Sequence, residues 1–227
     1  MDSLLDIHTH HDSDPLFTSI RSYHAGDLVA MIAGQHSSSL TDESLYAFLN
    51  SCYSVGFHPM FTSGIPSQGD YDIFCSIISD SGCLAIGECG FDKRSALNFS
   101  EQQKVVIRQI EIGEMYGKPI VWHIVGGWNE ILKLHKNIVP KTPWIVHGYR
   151  KGRELADQLL SRGIYLSFGE HYNIEALRLA YQFGLMLSET DESFLSIREI
   201  LFRQSRDLEV PLEKLIGDIR KSLSYLI

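Results

Sequence analysis

The sequence predicts an α/β protein built as a TIM-type (β/α)8 barrel, compact or slightly distorted. Short apolar runs of strand length alternate along the chain with longer amphipathic segments, the pattern of a parallel sheet covered by helices. The runs are continuously apolar, as strands buried on both faces are. Seven are clear and an eighth is available, and eight strands close a barrel; 227 residues suit such a barrel as one unit. An open doubly wound sheet is the competing arrangement.

The first strand is SLLDIH. The second is sought in FTSIRSYHA, within a stretch from Pro15 to Asn50 whose glycines, serines and short runs make its elements hard to place. CYSVGFH supplies the third and CLAIGE the fourth. SEQQKVVIRQIEIGEMYG then reads as a helix, with Ser100 as N-cap and Gly117 just past its end. Val106 and Ile110 lie one turn apart, and Val105, Ile112 and Tyr116 border the same face, a stripe that Gln109 interrupts. PIVWH, PWIVH, GIYLSF and GLMLSET are the remaining strands, separated by the helical segments GWNEILKLHKNI, GRELADQLLSRG and NIEALRLAYQFG. SFLSIREILFRQSRDL and PLEKLIGDIRKSLSYLI are two final helices. No repeat, low-complexity tract or linker divides the chain, so a single domain over residues 1–227 is expected.

Hydrophobic residues at 44% and charged residues at 21% describe a soluble protein with a buried core. No apolar stretch approaches the roughly 20 residues of a membrane span, and MDSLLDIHTH lacks the basic start and apolar core of a signal peptide. A cytoplasmic protein with no membrane partner is expected. Cys52, Cys75, Cys83 and Cys89 show no CxxC spacing and read as reduced thiols. A net charge of −8 argues against a broad basic surface coating nucleic acid. A nucleic-acid enzyme stays open, because bound divalent cations invert the sign of a cleft.

The strand ends carry the chemistry. DIHTH delivers His8 and His10, which alternation places on one side. AIGE ends in Glu88, VWH in His123, IVH in His147 and LSETD in Asp191. In a parallel barrel these ends open onto the face where catalytic groups sit. Imidazole and carboxylate suit Zn, Mn and similar ions. Six donors exceed what one catalytic Zn takes and suit two ions about 3.5–4 Å apart sharing a carboxylate. Any one of these residues alone reads as a packed histidine or a paired acid; six at strand exits read as a metal site. His11 should point the opposite way from His10. His24, His36, His135 and His171 close no clear apolar strand and read as surface or packing residues. Trp122 alternates outward to pack under helices. Trp128 and Tyr149 could stack on a base, with packing the simpler reading.

At these residues the chain resembles the TatD family of metal-dependent hydrolases, a branch of the amidohydrolase-like TIM barrels. DIHTHHD is similar to the family's Asp-x-His-x-His start, VGFHP to its Gly-x-His-Pro segment, AIGECGFD to its Ile-Gly-Glu-x-Gly-Leu-Asp segment and LSETD to its Glu-Thr-Asp segment. IVWH and IVHG fall between them in the family order, and the likeness runs from about residue 4 to about residue 195. It implies two divalent ions (Zn, Mg or Mn) with Glu88 as bridging ligand. His8, His10 and Asp191 would complete one shell, and His123 with His147 the other. It also implies roles near the substrate for His58 and Asp92, and deoxyribonuclease activity from the 3′ end. Asp191 and Glu88 are then the catalytic carboxylates, with Asp191 orienting the attacking water.

Three departures bear on the substrate. Val125 stands where the family commonly has arginine, removing a bidentate phosphate contact. HGYRKG brings Arg150 and Lys151 close to His147, making Arg150 a candidate substrate contact. Glu192 follows Asp191. The expectation is a two-metal hydrolase of DNA or another phosphodiester. Hydrolysis of a small amide, lactone or ester is the rival, and a metal-stabilised binding protein without turnover is a third reading. Neither the metal nor the oligomeric state is set by the sequence.

Overall fold

A computed structural model describes residues 4–11, 18–35 and 52–226. Its elements in chain order are β1 (Leu4–Thr9), β2 (Thr18–His24), α1 (Ala25–Gln35), β3 (Tyr53–Gly56), α2 (Gln68–Ile78), β4 (Cys83–Asp92), α3 (Phe99–Tyr116) and β5 (Ile120–Val125). They continue as α4 (Trp128–Ile138), β6 (Trp144–Val146), α5 (Arg153–Leu160), β7 (Tyr165–Phe168), α6 (Ile174–Phe183), β8 (Met186–Ser188), α7 (Ile197–Leu208) and α8 (Leu212–Leu223). The eight strands form one sheet whose order follows the chain. Thr9 and Asp191 form a parallel bridge, with Asp191 N–H donating to His8 O (3.0 Å) and His10 N–H to Asp191 O (3.3 Å). This is the expected TIM barrel. A doubly wound sheet reverses strand order at a switch point, and this order has no reversal. FTSIRSYHA does supply the second strand. The rest of the illegible stretch, including His36, lies outside the described residues apart from α1.

Two compact units are distinguished, residues 1–21 with 143–227 and residues 22–142. In the first, Ile7, Trp144, Ile145, Leu166, Phe168, Leu187, Ile200 and Leu215 are buried. Gln204 of α7 joins two neighbouring strands there, donating to Phe168 O (2.9 Å) and accepting from Ser188 Oγ (2.6 Å).

In the second unit Val55, Phe74, Ile77, Ile86, Phe91, Ile110, Ile120 and Ile131 are buried. Trp122 is buried too, its ring stacked 6.3 Å from Phe91 of the neighbouring strand. Helix α3 starts earlier than the sequence suggested. Asn98, not Ser100, is its N-cap, accepting from Ser100 N–H (2.9 Å) and Glu101 N–H (3.1 Å), while Glu101 Oε2 accepts from Asn98 N–H (2.9 Å). Asn-Phe-Ser-Glu forms a capping box whose acid sits in the first turn, where the helix dipole favours it. Gly117 ends the helix at φ 65°, as expected. Tyr116 does not share the buried face and is substantially exposed, whereas Gln109, the apparent defect, is fully buried.

Glu114 of α3 ties down the segment after α4. Its Oε1 accepts from Lys141 N–H (2.7 Å), Thr142 N–H (2.9 Å) and Thr142 Oγ1 (3.1 Å). Burial disfavours the charged form, but these hydrogen bonds outweigh it and hold the carboxyl below the usual range. A folded pKa below the unfolded one adds stability that is complete above the unfolded value and is lost as pH falls through the folded one. Glu114→Ala should therefore cost about 1–2 kcal/mol in urea unfolding at pH 7. The gap to wild type should narrow once pH falls below about 4.

All four cysteines are free. Among the described residues no helix is long and apolar enough to cross a membrane.

Candidate metal centre

In the first unit the site starts on β1. Asp6 is buried and accepts from Thr190 N–H (3.0 Å), Thr190 Oγ1 (2.8 Å), Ser19 Oγ (3.3 Å) and His8 N–H (3.4 Å). Burial pushes its carboxyl up to about 7 against the hydrogen bonds from Thr190. Asp6 thus fixes β1 to β2 and to the segment after β8. His8 is buried and His10 exposed, with rings 4.9 Å apart edge to face. Asp191 Oδ1 lies 3.7 Å from His8 Nε2 and 3.8 Å from His10 Nε2. Asp191 takes a left-handed conformation at φ 54°, which Asp tolerates better than most residues. His147 follows β6, its ring 4.6 Å from that of His8 and its Nδ1 3.7 Å from Glu189 Oε1.

Glu189 went unnoticed in the sequence. It is fully buried, and its Oε1 accepts from Gly148 N–H (2.6 Å). Burial works against its ionisation, yet His147 and His8 more than compensate and hold the carboxyl below its ordinary range. The signal was present in LSETD: an acid two residues before Asp191, on the same side by strand alternation.

In the second unit Glu88 is the centre. The fourth strand does not end at Glu88 but continues to Asp92, and its pairing with β5 slips in register between Ile86 and Cys89. Such irregularities re-aim side chains and recur beside functional sites. His123 likewise lies inside β5, two residues before its end. Glu88 Oε2 lies 3.2 Å from His123 Nδ1 and 3.5 Å from His58 Nε2. The rings of His58 and His123 are 4.3 Å apart. His58, expected near the substrate, thus stands within the donor group.

Asp92 is buried, 3.0 Å from His123 Nε2, and it accepts from Arg94 Nη2 (2.6 Å), Arg94 Nε (3.0 Å) and Arg94 N–H (2.8 Å). Burial opposes its charge, but Arg94 and His123 prevail and hold it well below the usual carboxylate range. Arg94 also went unnoticed; its signal was a cation two residues after an acid that ends an apolar strand. His24 closes β2 instead of lying apart from the strands, and its Nδ1 accepts from His58 N–H (3.3 Å). Phe61, 68% exposed, tilts over the His58 ring at 4.9 Å.

Arg150 is exposed. Tyr149 is buried and donates to Gly152 O (2.9 Å), so it packs instead of offering a stacking face. Trp128 is half-buried. His11 is exposed and stacks 6.4 Å from Phe194.

Among the described residues, ligand atoms lie within 4.8 Å of one another in groups of three donors that include His8, His10 and Asp191; His147, Glu189 and Asp191; and His58, Glu88 and His123. Three protein ligands of mixed nitrogen and oxygen type fit a catalytic divalent ion that keeps a position open.

Fold and donors together define a TIM barrel whose strand ends carry ligands suited to divalent ions. The family model described as TatD related DNase matches residues 5–207, and the chain belongs to this family. The Escherichia coli K12 protein described as uncharacterized metal-dependent hydrolase YcfH is 30% identical over 158 residues, 65% of this chain and 57% of that protein. Methanocaldococcus jannaschii MJ1582, described likewise, is 28% identical over 140 residues, 58% of this chain and 53% of that protein. The chain therefore spans little more than half the length of these relatives. Among solved structures, the TatD homologue YJJV of E. coli K12 superimposes with a TM-score of 0.75 at 15% identity, covering 100% of this chain and 99% of that one. A TatD-family hydrolase of Entamoeba histolytica gives 0.71 at 14% identity, covering 99% and 97%. These two share the fold.

Proposed function

We propose that this chain is a divalent-metal-dependent hydrolase of phosphodiesters, with DNA as its substrate class and two ions of Zn, Mn or Mg as its cofactors. The observation that carries this reading is the convergence of imidazole and carboxylate donors in groups of three. The family's description as DNases and the relatives' description as metal-dependent hydrolases support it. Ions bound there would supply a water of lowered pKa and a polarised phosphoryl oxygen.

The side chains have distinct tasks in this reading. His8, His10 and Asp191 hold one ion; His58, Glu88 and His123 hold the other. Asp92, braced by Arg94, accepts a hydrogen bond from His123 Nε2 and so leaves Nδ1 to act as ligand beside Glu88. His147 and Glu189, whose ligand atoms lie within 4.8 Å of one another and of one from Asp191, would be further donors beside the first ion. Asp191, partly open to solvent, orients the attacking water and accepts its proton. Arg150 is the candidate phosphate contact. The four free cysteines support a cytoplasmic setting.

Val125 favours a second reading, in which a small amide, lactone or ester is cleaved, because the valine cannot hold a phosphate oxygen. The purified protein, loaded in turn with Zn, Mn and Mg, should hydrolyse a chromogenic phosphodiester and single-stranded DNA, and a chelator should abolish both activities. Faster turnover of lactones or acyl amides would transfer the assignment to the second reading. No turnover of any of these overturns both.

A further inference from the structure

We propose that Gln102 and Gln109 are positioning residues that set the ion-binding geometry of the His58–Glu88–His123 group. This rests on the reading that the group holds an ion. The two glutamines lie seven residues apart, two turns along one face of α3, and both are buried among Val105, Val106, Ile110 and Gly113. An amide is placed in such a stripe at a penalty unless its donors and acceptor are satisfied.

Each amide meets the backbone of one strand-end residue twice, as a neighbouring strand would. Gln102 Oε1 accepts from Asp92 N–H (2.8 Å), and its Nε2 donates to Asp92 O (2.9 Å) and Leu97 O (2.6 Å). Gln109 Oε1 accepts from Phe57 N–H (2.8 Å), and its Nε2 donates to Phe57 O (3.4 Å) and Val105 O (3.5 Å). Asp92 is the last residue of β4, and Phe57 lies just past the end of β3. The two glutamines therefore pin the backbone where the strands give way to loops.

Those two points are where the donors are set. Phe57 immediately precedes His58, whose Nε2 reaches Glu88. Asp92 carries the carboxylate 3.0 Å from His123 Nε2. Gln204 does something different, bridging a side chain and a carbonyl of two strands without a reciprocal pair on one residue. The glutamines of α3 thus fix the ends of two strands, β3, whose end leads into His58, and β4, which carries Glu88 and ends in the Asp92 that orients His123. Their amide hydrogen bonds go to the backbone of Asp92, Leu97, Phe57 and Val105.

The test uses Co(II) as probe with the full chain. Gln102→Met and Gln109→Met conserve volume and remove the paired hydrogen bonds. Each should weaken one of the Co(II) binding events by about 10–100-fold in equilibrium dialysis and shift the visible absorption of the bound ion. Ile112→Ala, a buried change on the same helix, should lower thermal stability while leaving Co(II) affinity and spectrum as in wild type. If the methionine variants do not fold, wild-type amide exchange decides the matter. Co(II) should slow exchange at Phe57 and Asp92 more than at Ile112. Wild-type affinity and spectrum in folded methionine variants, or equal slowing at all three amides, would overturn the proposal alone. A wild-type protein that binds no Co(II) overturns the functional reading and the proposal with it.

Discussion

Glu88→Gln should abolish ion binding at the His58–Glu88–His123 group and lower phosphodiester turnover by on the order of 10³-fold or more, the equivalent of several kcal/mol of transition-state stabilisation. Glu88 is buried between two imidazoles at 3.2 and 3.5 Å. Glutamine keeps the volume but replaces one ligand oxygen with an amide NH2, which offers no lone pair to a cation. Because the substitution also removes a desolvated charge, the ion-free variant should unfold at or above the wild-type denaturant concentration. Loss of activity with unimpaired stability separates a ligand from a structural acid. Metal content by elemental analysis, turnover of a chromogenic diester and urea unfolding read the three effects. Wild-type metal content and turnover in Glu88→Gln would refute the assignment of Glu88. Asp191→Asn should cause a comparable loss in the other unit, with the proton acceptor removed as well.

The donors were legible because a parallel strand is buried on both faces, so an imidazole or carboxylate in an apolar run has no ordinary reason to be there. His8, His123 and His147 stand out for that reason, and the strand count follows from the same contrast. What was not legible lies where the explanatory partner is remote or hidden by a neighbour. Gln109 looked like a flaw in the α3 stripe because the residue it serves, Phe57, is 52 positions away. Glu189 was overshadowed by Asp191, although both stand in the quoted LSETD. His24 seemed isolated because FTSIRSYHA mixes polar and apolar residues and gives no clean strand end. The fourth strand seemed to stop at Glu88, since an apolar-run criterion ends at the first charge, whereas hydrogen bonding carries β4 on to Asp92. Ser100 reads as the N-cap because serine is a good cap; the placement of Glu101, which completes a capping box with Asn98, puts the cap two residues earlier.

The continuation of β4 past Glu88 requires Gly90, and Gly90→Ala should be severely destabilising. Gly90 pairs with His123 in the β4–β5 ladder and has φ +145°, which side-chain-bearing residues rarely adopt. An added Cβ would collide with the His123 carbonyl oxygen and lie 3.0 Å from its carbon and 3.1 Å from the His123 nitrogen. These are backbone atoms in a paired strand and cannot swing aside as a flexible side chain would. Backbone strain of about 1–3 kcal/mol adds to overpacking of about 1–3 kcal/mol, against a total stability of roughly 5–15 kcal/mol. A fall in Tm of roughly 10 °C is expected, at about 2–4 °C per kcal/mol for a chain of this size. Gly117→Ala is the comparison: φ is +65°, and nothing lies within 4 Å of the added carbon. It should cost only about 1–2 kcal/mol of left-handed strain. The difference between the two variants isolates the close approach of β4 and β5, the contact that brings His123 beside Glu88. Equal unfolding midpoints for the two would show that this approach is looser than described, and the 3.2 Å separation of those side chains would lose its structural support.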